Sequence, residues 1–128
     1  MNLFLGPTHD LSFLYDDSEA IRVSSQEIAT FIMQDEIVAV YNGRSEAGPR
    51  ALGNRSILYD PRDINTKDTI NKVKKRERFR PFAAAVLKDH ANEWFDMSGL
   101  NRSPTMSYAV HTKEDKNCLL YTSDAADD

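Results

Sequence analysis

The sequence predicts an α/β domain in which short helices flank a sheet. Residues 25–34 carry apolar side chains at helical spacing after a capping signal. The apolar and largely β-branched run of residues 37–41 follows at once, a pattern typical of a strand covered on both faces. With 128 residues, the chain has room for one domain and a modest core.

The local patterns place most elements. Ser24 and Glu27 have the spacing of a capping box, in which each side chain binds a free amide at the helix start. Ile28, Phe31 and Ile32 then share one helical face. A turn is predicted at Gly6-Pro7, and strands are predicted over residues 56–59, 83–87 and 106–110. One predicted helix is capped by Asp63 and carries Ile64, Ile70 and Val73; a second covers residues 88–95, with Ala91, Trp94 and Phe95 facing inward. Phe79, Pro81 and Phe82 are predicted to anchor the chain to the core.

A cationic segment organises the chain. It begins at Gly43 with GRSEAGPRALGNRSILYDPR and continues in charge to Arg80 through KVKKRERFR. Guanidinium groups match the oxygens of phosphates and carboxylates, and glycines let backbone amides approach a ligand. The strand at residues 37–41 leads directly into this segment, as in α/β sheets that place ligands at the end of a strand. Composition alone equally allows a solvated basic loop that pairs with nearby acids.

The charge is distributed unevenly. The net charge is −4, yet residues 43–80 hold 11 of the 16 basic residues and only five acids. A cationic segment inside an acidic protein favours a local anion site, whereas nucleic-acid-binding proteins tend to be basic overall. We therefore do not expect a general nucleic-acid surface.

Several classes are not expected from the sequence. No apolar run approaches the roughly 20 residues that cross a bilayer, and the N-terminus lacks a signal-peptide pattern, so a cytoplasmic location is expected. The single cysteine, Cys118, excludes an internal disulfide and a CxxC motif. His9, His90 and His111 are scattered, so no metal site is expected in this chain.

The strings GRSEAGPRALGNRSIL, DPRD and KKRERFRPFA together resemble the signature of the C-terminal domain of the carbamoyltransferases. That family includes enzymes that carbamoylate nodulation factors, cephalosporins and tobramycin. The resemblance runs from about Asn2 to about Lys113 and is densest between Gly43 and Leu87. It implies that residues 1–116 are part of such a domain. Residues 117–128 resemble translated sequencing-adapter read-through and are expected to be a non-native tail.

The resemblance implies a fold and a reaction. The domain is similar to the YrdC/Sua5 type, a twisted open α/β sheet with flanking helices, and forms carbamoyl-adenylate from carbamoyl phosphate and ATP, with Mg²⁺ expected. A second domain of the Kae1 type, absent from this chain, carries iron and passes the carbamoyl group to a hydroxyl of a small molecule or sugar. The chain alone is therefore not expected to be active. The alternative is a YrdC/Sua5-like module that binds RNA or a nucleotide without carbamoyl transfer.

The motifs assign residues by resemblance. Lys74 and Arg76 match a KxR element, Arg80 matches the arginine of FRPF, and Arg50 lies in GPRALGNRS. Lys74 and Arg80 are expected to be catalytic. The residues expected to bind ATP and carbamoyl phosphate are Arg50, Arg76, Arg44, Arg55 and Ser56.

Structural alternatives remain open for several polar residues. Arg55 can equally pair with Asp60, and Ser56 can cap a turn. Glu46 is interpreted as orienting an arginine. The lysines at positions 72 and 75 are assigned to the C-terminal end of a helix, where cations complement the dipole. Ala47 and Ala84 depart from the family pattern, which usually has a bulky apolar residue and a proline there.

Overall fold

The computed structural model describes residues 5–16, 19–48, 51–103 and 106–119. They form two compact units, with the division between Tyr59 and Asp60. Short helices and two-stranded antiparallel sheets occur in the chain, which confirms the mixed α/β class. The predicted open sheet is represented among these residues by three separate strand pairs.

The described residues of the first unit form one α-helix and two strand pairs. Its elements are β1 (Leu5–Thr8), a 3-10 helix (Ser12–Asp16), α1 (Ser25–Met33), β2 (Val38–Tyr41), β3 (Arg44–Glu46) and β4 (Arg55–Leu58). Ser24 caps α1 through the reciprocal capping box with Glu27, as predicted. The apolar side chains on the inner face of α1 are half-buried.

Strands β2 and β4 pair antiparallel, with Val38 opposite Leu58 and Tyr41 opposite Arg55. Along β2 half-buried and exposed residues alternate, and Ala39 and Tyr41 are exposed. The prediction of a strand covered on both faces is therefore wrong. An antiparallel pair can bury one face and leave the other in water, even when both faces are apolar.

The predicted turn at Gly6-Pro7 is wrong, because both residues lie in β1. This strand pairs antiparallel with β3, and the register shifts between Leu5 and Thr8. A Cβ atom at Gly6 would lie 2.5 Å from Ser45 Oγ. The glycine therefore serves a close approach of two strands, which local sequence patterns do not reveal.

The second unit is built on α2. Its elements are α2 (Thr66–Val73), a 3-10 helix (Lys88–His90), α3 (Ala91–Trp94), β5 (Phe95–Asp96), β6 (His111–Thr112) and a 3-10 helix (Glu114–Leu119). β5 and β6 pair antiparallel. Ile70, Ala91 and Met97 are the buried apolar side chains among the described residues. The core of the described chain is therefore small.

Several predicted elements of this unit differ. Residues 83–87 and 106–110 are not strands, and helix 88–95 is divided into a 3-10 and an α segment. α2 begins at Thr66 with Asn65 as N-cap, so Asp63 is not the cap. Phe79 is 74% exposed and does not anchor the chain. None of the helices in the described ranges combines the length and apolarity needed to cross a bilayer.

Candidate functional site

The arginine of β3 is bound to the neighbouring strand. Arg44 Nε donates to the carbonyl of Gly6 at 2.6 Å, and Nη2 donates to the carbonyl of Leu5 at 3.0 Å. A charged donor makes a stronger hydrogen bond than a neutral one. Arg44 therefore fastens β1 to β3, and its predicted contact with a substrate stays a prediction.

Arg55 closes the end of the β2–β4 hairpin. Its Nη1 donates to the carbonyls of Asn42 and Asn54 at 2.6 and 2.9 Å. Its guanidinium carbon lies 3.5 Å from the centroid of the Tyr41 ring. Nη2 is buried and has no hydrogen-bond partner within the described residues.

The acid at position 60 does not bind Arg55. Its carboxylate accepts two hydrogen bonds from Nε of Arg62, at 2.9 and 3.0 Å. The alternative of an Arg55–Asp60 pair is therefore wrong. These bonds, the largest cause, hold the pKa of Asp60 below its usual value.

The loop before β4 is ordered by two side-chain acceptors. Glu46 Oε1 accepts from the amides of Leu52 and Asn54, both at 2.7 Å. Ser56 Oγ accepts from the amide of Gly53 at 3.0 Å. Ser56 thus caps a turn, one of the two roles that the sequence allowed. The interpretation that Glu46 orients an arginine is wrong, since it binds loop amides.

Two of the predicted cations meet over one ring in the second unit. The Cζ atom of Arg76 lies 4.3 Å from the centroid of Phe82, and Lys74 Nζ lies 5.9 Å from the same centroid. Aromatic faces attract cations electrostatically, which fixes the position of these groups without neutralising them. An ion pair would have consumed the charge, so this arrangement leaves it available to an anion.

A buried asparagine holds this cationic turn. Asn71 has no exposed surface. Its Nδ2 donates to the carbonyls of Arg78 and Arg80 at 3.1 and 3.0 Å, and its Oδ1 accepts from Nε of Arg76. Arg76 Nη2 also reaches the carbonyl of Pro81 at 3.4 Å. Asn71 therefore positions both the backbone of the turn and one of its guanidinium groups.

The side chain of Arg80 makes an ion pair within the same turn. Its Nε lies 3.2 Å from Oε2 of Glu77, and both side chains are more than half exposed. The pKa of Glu77 is lowered by a hydrogen bond from its own amide and then by Arg80. An exposed pair of this kind is worth little in free energy and exchanges readily for a stronger anion.

The predicted residues thus fall into two groups. Lys74, Arg76 and Arg80 belong to one turn of the second unit, whereas Arg44, Arg55 and Ser56 surround the hairpin end of the first. Arg50 lies outside the described residues. Asn71 was not predicted from the sequence, because a single polar residue in an amphipathic helix gives no periodic signal. The available signal was that the backbone carbonyls of the turn, such as those of residues 78 and 80, need hydrogen-bond donors.

A separate cavity of about 330 Å³ lies in the second unit and is mostly apolar. Its lining residues are Pro61, Ala84, Ala85, Val86, Leu87, His90, Trp94 and Phe95. Trp94 lies on this lining and is half-buried. The predicted cations are not part of the lining. The cationic turn therefore marks the candidate site better than this cavity does.

The described residues contain no group of three or more His, Cys, Asp and Glu side chains placed to hold a metal ion.

Comparison with known proteins identifies the family. Residues 29–124 match the family model described as the carbamoyltransferase C-terminus. Nodulation protein NolNO of Sinorhizobium fredii is 49% identical over 94 residues, which cover 72% of this chain and 14% of that protein. Nodulation protein NolO of Bradyrhizobium diazoefficiens is 46% identical over 94 residues, covering 72% of this chain and 17% of that protein.

A third relative extends the pattern. Nodulation protein U of Bradyrhizobium diazoefficiens is 38% identical over 94 residues, covering 73% of this chain and 16% of that protein. The chain thus spans 14–17% of the length of these three relatives. The family match covers most of the chain and includes the cationic turn and its buried asparagine. The chain belongs to the carbamoyltransferase family, in which it represents part of the C-terminal domain.

Proposed function

We propose that this chain is the part of an O-carbamoyltransferase that binds ATP and carbamoyl phosphate and forms carbamoyl-adenylate. The carbamoyl group would then pass to a hydroxyl of a small molecule or sugar, in a second domain outside this chain. Family membership supports carbamoyl transfer. The observation that carries the proposal for this part is the meeting of Lys74 and Arg76 over the ring of Phe82.

The reaction requires fixed positive charge. Carbamoyl phosphate and ATP are both polyanions, and they repel each other when they are brought together. Charge also builds up on the α-phosphoryl oxygens as the transition state forms. Fixed cations that offset both effects and align the reactants can supply most of the catalysis.

The overall step balances with one water molecule. Water cleaves the P–O bond of carbamoyl phosphate, which leaves inorganic phosphate and carbamate. A carbamate oxygen then bonds to the α-phosphorus of ATP while the bond to the β-phosphate bridging oxygen breaks. Pyrophosphate leaves with that electron pair. The described residues contribute charge and alignment to this sequence of steps, with no covalent bond to the protein.

Each cation of the turn has a distinct role in this proposal. Lys74 acts as a point charge on a phosphate. Arg76, fixed by Asn71, offers a preorganised fork, which suits phosphate oxygens. Arg80 exchanges its exposed partner Glu77 for the substrate. Together these three groups supply positive charge that offsets the repulsion between the two anionic substrates.

The residues of the hairpin act differently. Arg50 is proposed to bind phosphate because of its position in the GPRALGNRS motif. The other three residues of the first unit, Arg44, Arg55 and Ser56, are bound to backbone groups of their own unit. The proposal keeps their assigned contacts with ATP and carbamoyl phosphate.

Binding measurements on this chain test the proposal. Titration calorimetry with carbamoyl phosphate and with ATP should show binding that Lys74→Gln and Arg76→Gln each weaken by about tenfold, the scale of one charge-assisted contact. Lys75→Gln is the matched control, since it removes the same charge from the adjacent exposed position. It should change affinity by less than about twofold. Equal affinities in the parent chain and the first two variants would remove the assigned roles.

A second measurement separates the two candidate activities. In a full-length carbamoyltransferase that contains this chain, carbamoyl-phosphate-dependent release of pyrophosphate from ATP, absent with acetyl phosphate, would support adenylate formation. RNA binding that falls steeply with salt and does not respond to carbamoyl phosphate would favour the RNA-binding alternative.

A further inference from the structure

A second cationic surface lies beside the turn, in the groove between α2 and residues 76–78. The groove has a volume of about 390 Å³ and is lined by Asp68, Lys72, Arg76 and Arg78. This volume is at the lower end of the range for small-molecule sites. From the sequence, Lys72 is expected to complement the helix dipole, and no motif assigns a role to Arg78.

Positive charge prevails in the groove. Arg78 Nε donates to Oδ1 of Asp68 at 3.1 Å, and this pair is largely exposed on the Arg78 side. The hydrogen bond from Arg78, the largest cause, lowers the pKa of Asp68, so this carboxylate stays ionised at neutral pH. Lys72 makes no side-chain hydrogen bond or ion pair within the described ranges, and three cations therefore face one carboxylate.

The groove has one rigid wall. Arg76 is held at Nε by the fully buried Asn71 and lies over the Phe82 ring. Preorganised donors bind an anion with a smaller loss of conformational freedom than mobile surface side chains. The carbonyls of Ile70, Asn71 and Lys72, at the end of α2, all accept main-chain hydrogen bonds. These main-chain donors therefore offset part of the negative charge at this end of the helix.

We propose that this groove binds the diphosphate group of a phosphorylated ligand, with Lys72 and Arg78 as its flexible contacts and Arg76 as its fixed one. Asp68 restrains Arg78 in the empty groove and competes with the ligand for it. The groove shares Arg76 with the proposed substrate site, but the inference goes beyond the proposed function because it requires neither carbamoyl transfer nor adenylate formation. It adds two cations that the motifs did not assign.

The carboxylate of Asp68 gives the proposal a test whose sign is informative. If the groove serves only stability, neutralising Asp68 removes its ion pair with Arg78 and does not raise the affinity for any anion. A groove that binds an anion loses a like charge and frees one cation. Asp68→Asn should therefore tighten binding of an anion even where it leaves folding unchanged or slightly weakened.

The experiment titrates the full 128-residue chain with inorganic pyrophosphate. Asp68→Asn should raise the affinity about threefold to tenfold, and Lys72→Gln should lower it by a similar factor, the range of one partly screened charge contact. Asp89→Asn and Lys88→Gln are matched controls, because they make the same charge changes at exposed positions outside the groove lining. The affinity changes caused by Asp68→Asn and Lys72→Gln should become smaller as the salt concentration is raised.

Two outcomes overturn the proposal. One is an affinity that Asp68→Asn leaves unchanged or lowers while circular dichroism shows a folded chain. The other is equal effects of Lys72→Gln and Lys88→Gln, which indicate a general electrostatic field rather than a site. Failure of carbamoyl-phosphate-dependent chemistry with this pyrophosphate pattern intact would leave the groove assigned and remove only the proposed function.

Discussion

The side-chain amide of Asn71 donates to the carbonyl of Arg80 at 3.0 Å. The two residues are separated by the whole cationic turn, so one neutral side chain sets the path of a strongly charged segment. A neutral donor suits this position, because a buried charge in the same place would carry a large desolvation cost. The turn thereby keeps its cations on the outside and its backbone dipoles satisfied inside.

Removal of this amide should destabilise the second unit. Asn71→Ala leaves the carbonyls of residues 78 and 80 and Nε of Arg76 without their partner in a buried place. Unsatisfied groups of this kind cost about 1 to 3 kcal/mol each, partly relieved by water, so we expect a loss of about 2 to 4 kcal/mol. Urea unfolding followed by the fluorescence of Trp94 measures it.

Asn92 provides the matched control for this change. It is exposed on α3 in the same unit. Asn92→Ala should alter the free energy of unfolding by no more than about 0.5 kcal/mol. Similar unfolding curves for Asn71→Ala and Asn92→Ala would mean that the buried amide contributes nothing.

Conservative replacement of Arg55 should loosen the hairpin end. Arg55→Lys keeps the charge but loses the guanidinium fork, whose Nη1 donates to two carbonyls and whose Cζ lies 3.5 Å from the centroid of the Tyr41 ring. We expect a loss of about 1 to 2 kcal/mol in local stability. Hydrogen exchange at the Asn42 amide, which donates to the carbonyl of Asn54 at 2.9 Å, should be faster.

Arg102→Lys is the control, since residue 102 is exposed in the other unit. It should leave exchange at the Asn42 amide unchanged. Unaltered protection of this amide in Arg55→Lys would show that the fork and the ring contact carry no local stability.

Elements with short-range signals were predictable. Helix α1 follows the capping box of Ser24 and Glu27, and β2 follows a β-branched run, so both lie within a residue or two of their predicted bounds. β4 was likewise displaced by only one residue. Each of these signals is local, and a short stretch of sequence contains all of it.

Elements that depend on a distant partner were not predictable. β3 looked like a cationic loop, because its pairing with β1 joins residues nearly 40 positions apart. Residues 83–87 are apolar enough for a strand, yet a strand needs a partner, and none pairs with them within the described ranges. The candidate site has the same limit: its motif residues are predictions from short strings of sequence, whereas Asn71, whose contacts arise only on folding, gives no such signal.

The pH dependence of the second unit should include a contribution from Asp60. Hydrogen bonds from Arg62 hold the pKa of this carboxyl below its usual value of 3.8, so the unfolded chain binds its proton at higher pH. The stability that it contributes is present above that value and is lost as the pH falls through the lower pKa of the folded state. Urea midpoints followed at Trp94 should therefore fall more steeply below about pH 4 in the parent chain than in Asp60→Asn.

Asp68 and Glu77 also have lowered pKa values, so Asp60→Asn should remove only part of the slope. Asp89→Asn should leave the slope in place. An identical acid slope in the parent chain and in Asp60→Asn would contradict the assigned coupling.

Helix α1 should show a pH response of its own. The amide of Ser24 first, and then its hydroxyl, donate to Glu27 and lower the pKa of that carboxyl from its usual 4.5. Stabilisation of the helix start by Glu27 is thus complete above this value and disappears as the pH falls through the lower pKa of the folded chain. Ser24→Ala should weaken the helix by about 1 kcal/mol and also reduce this pH response, because one of the two donors is lost.

The carbon chemical shifts of residues 25–33, followed from neutral to acidic pH, measure both effects, and Ser25→Ala is the adjacent control that should preserve the parent curve. A Ser24→Ala curve that overlays the parent would show that the hydroxyl takes no part in the cap.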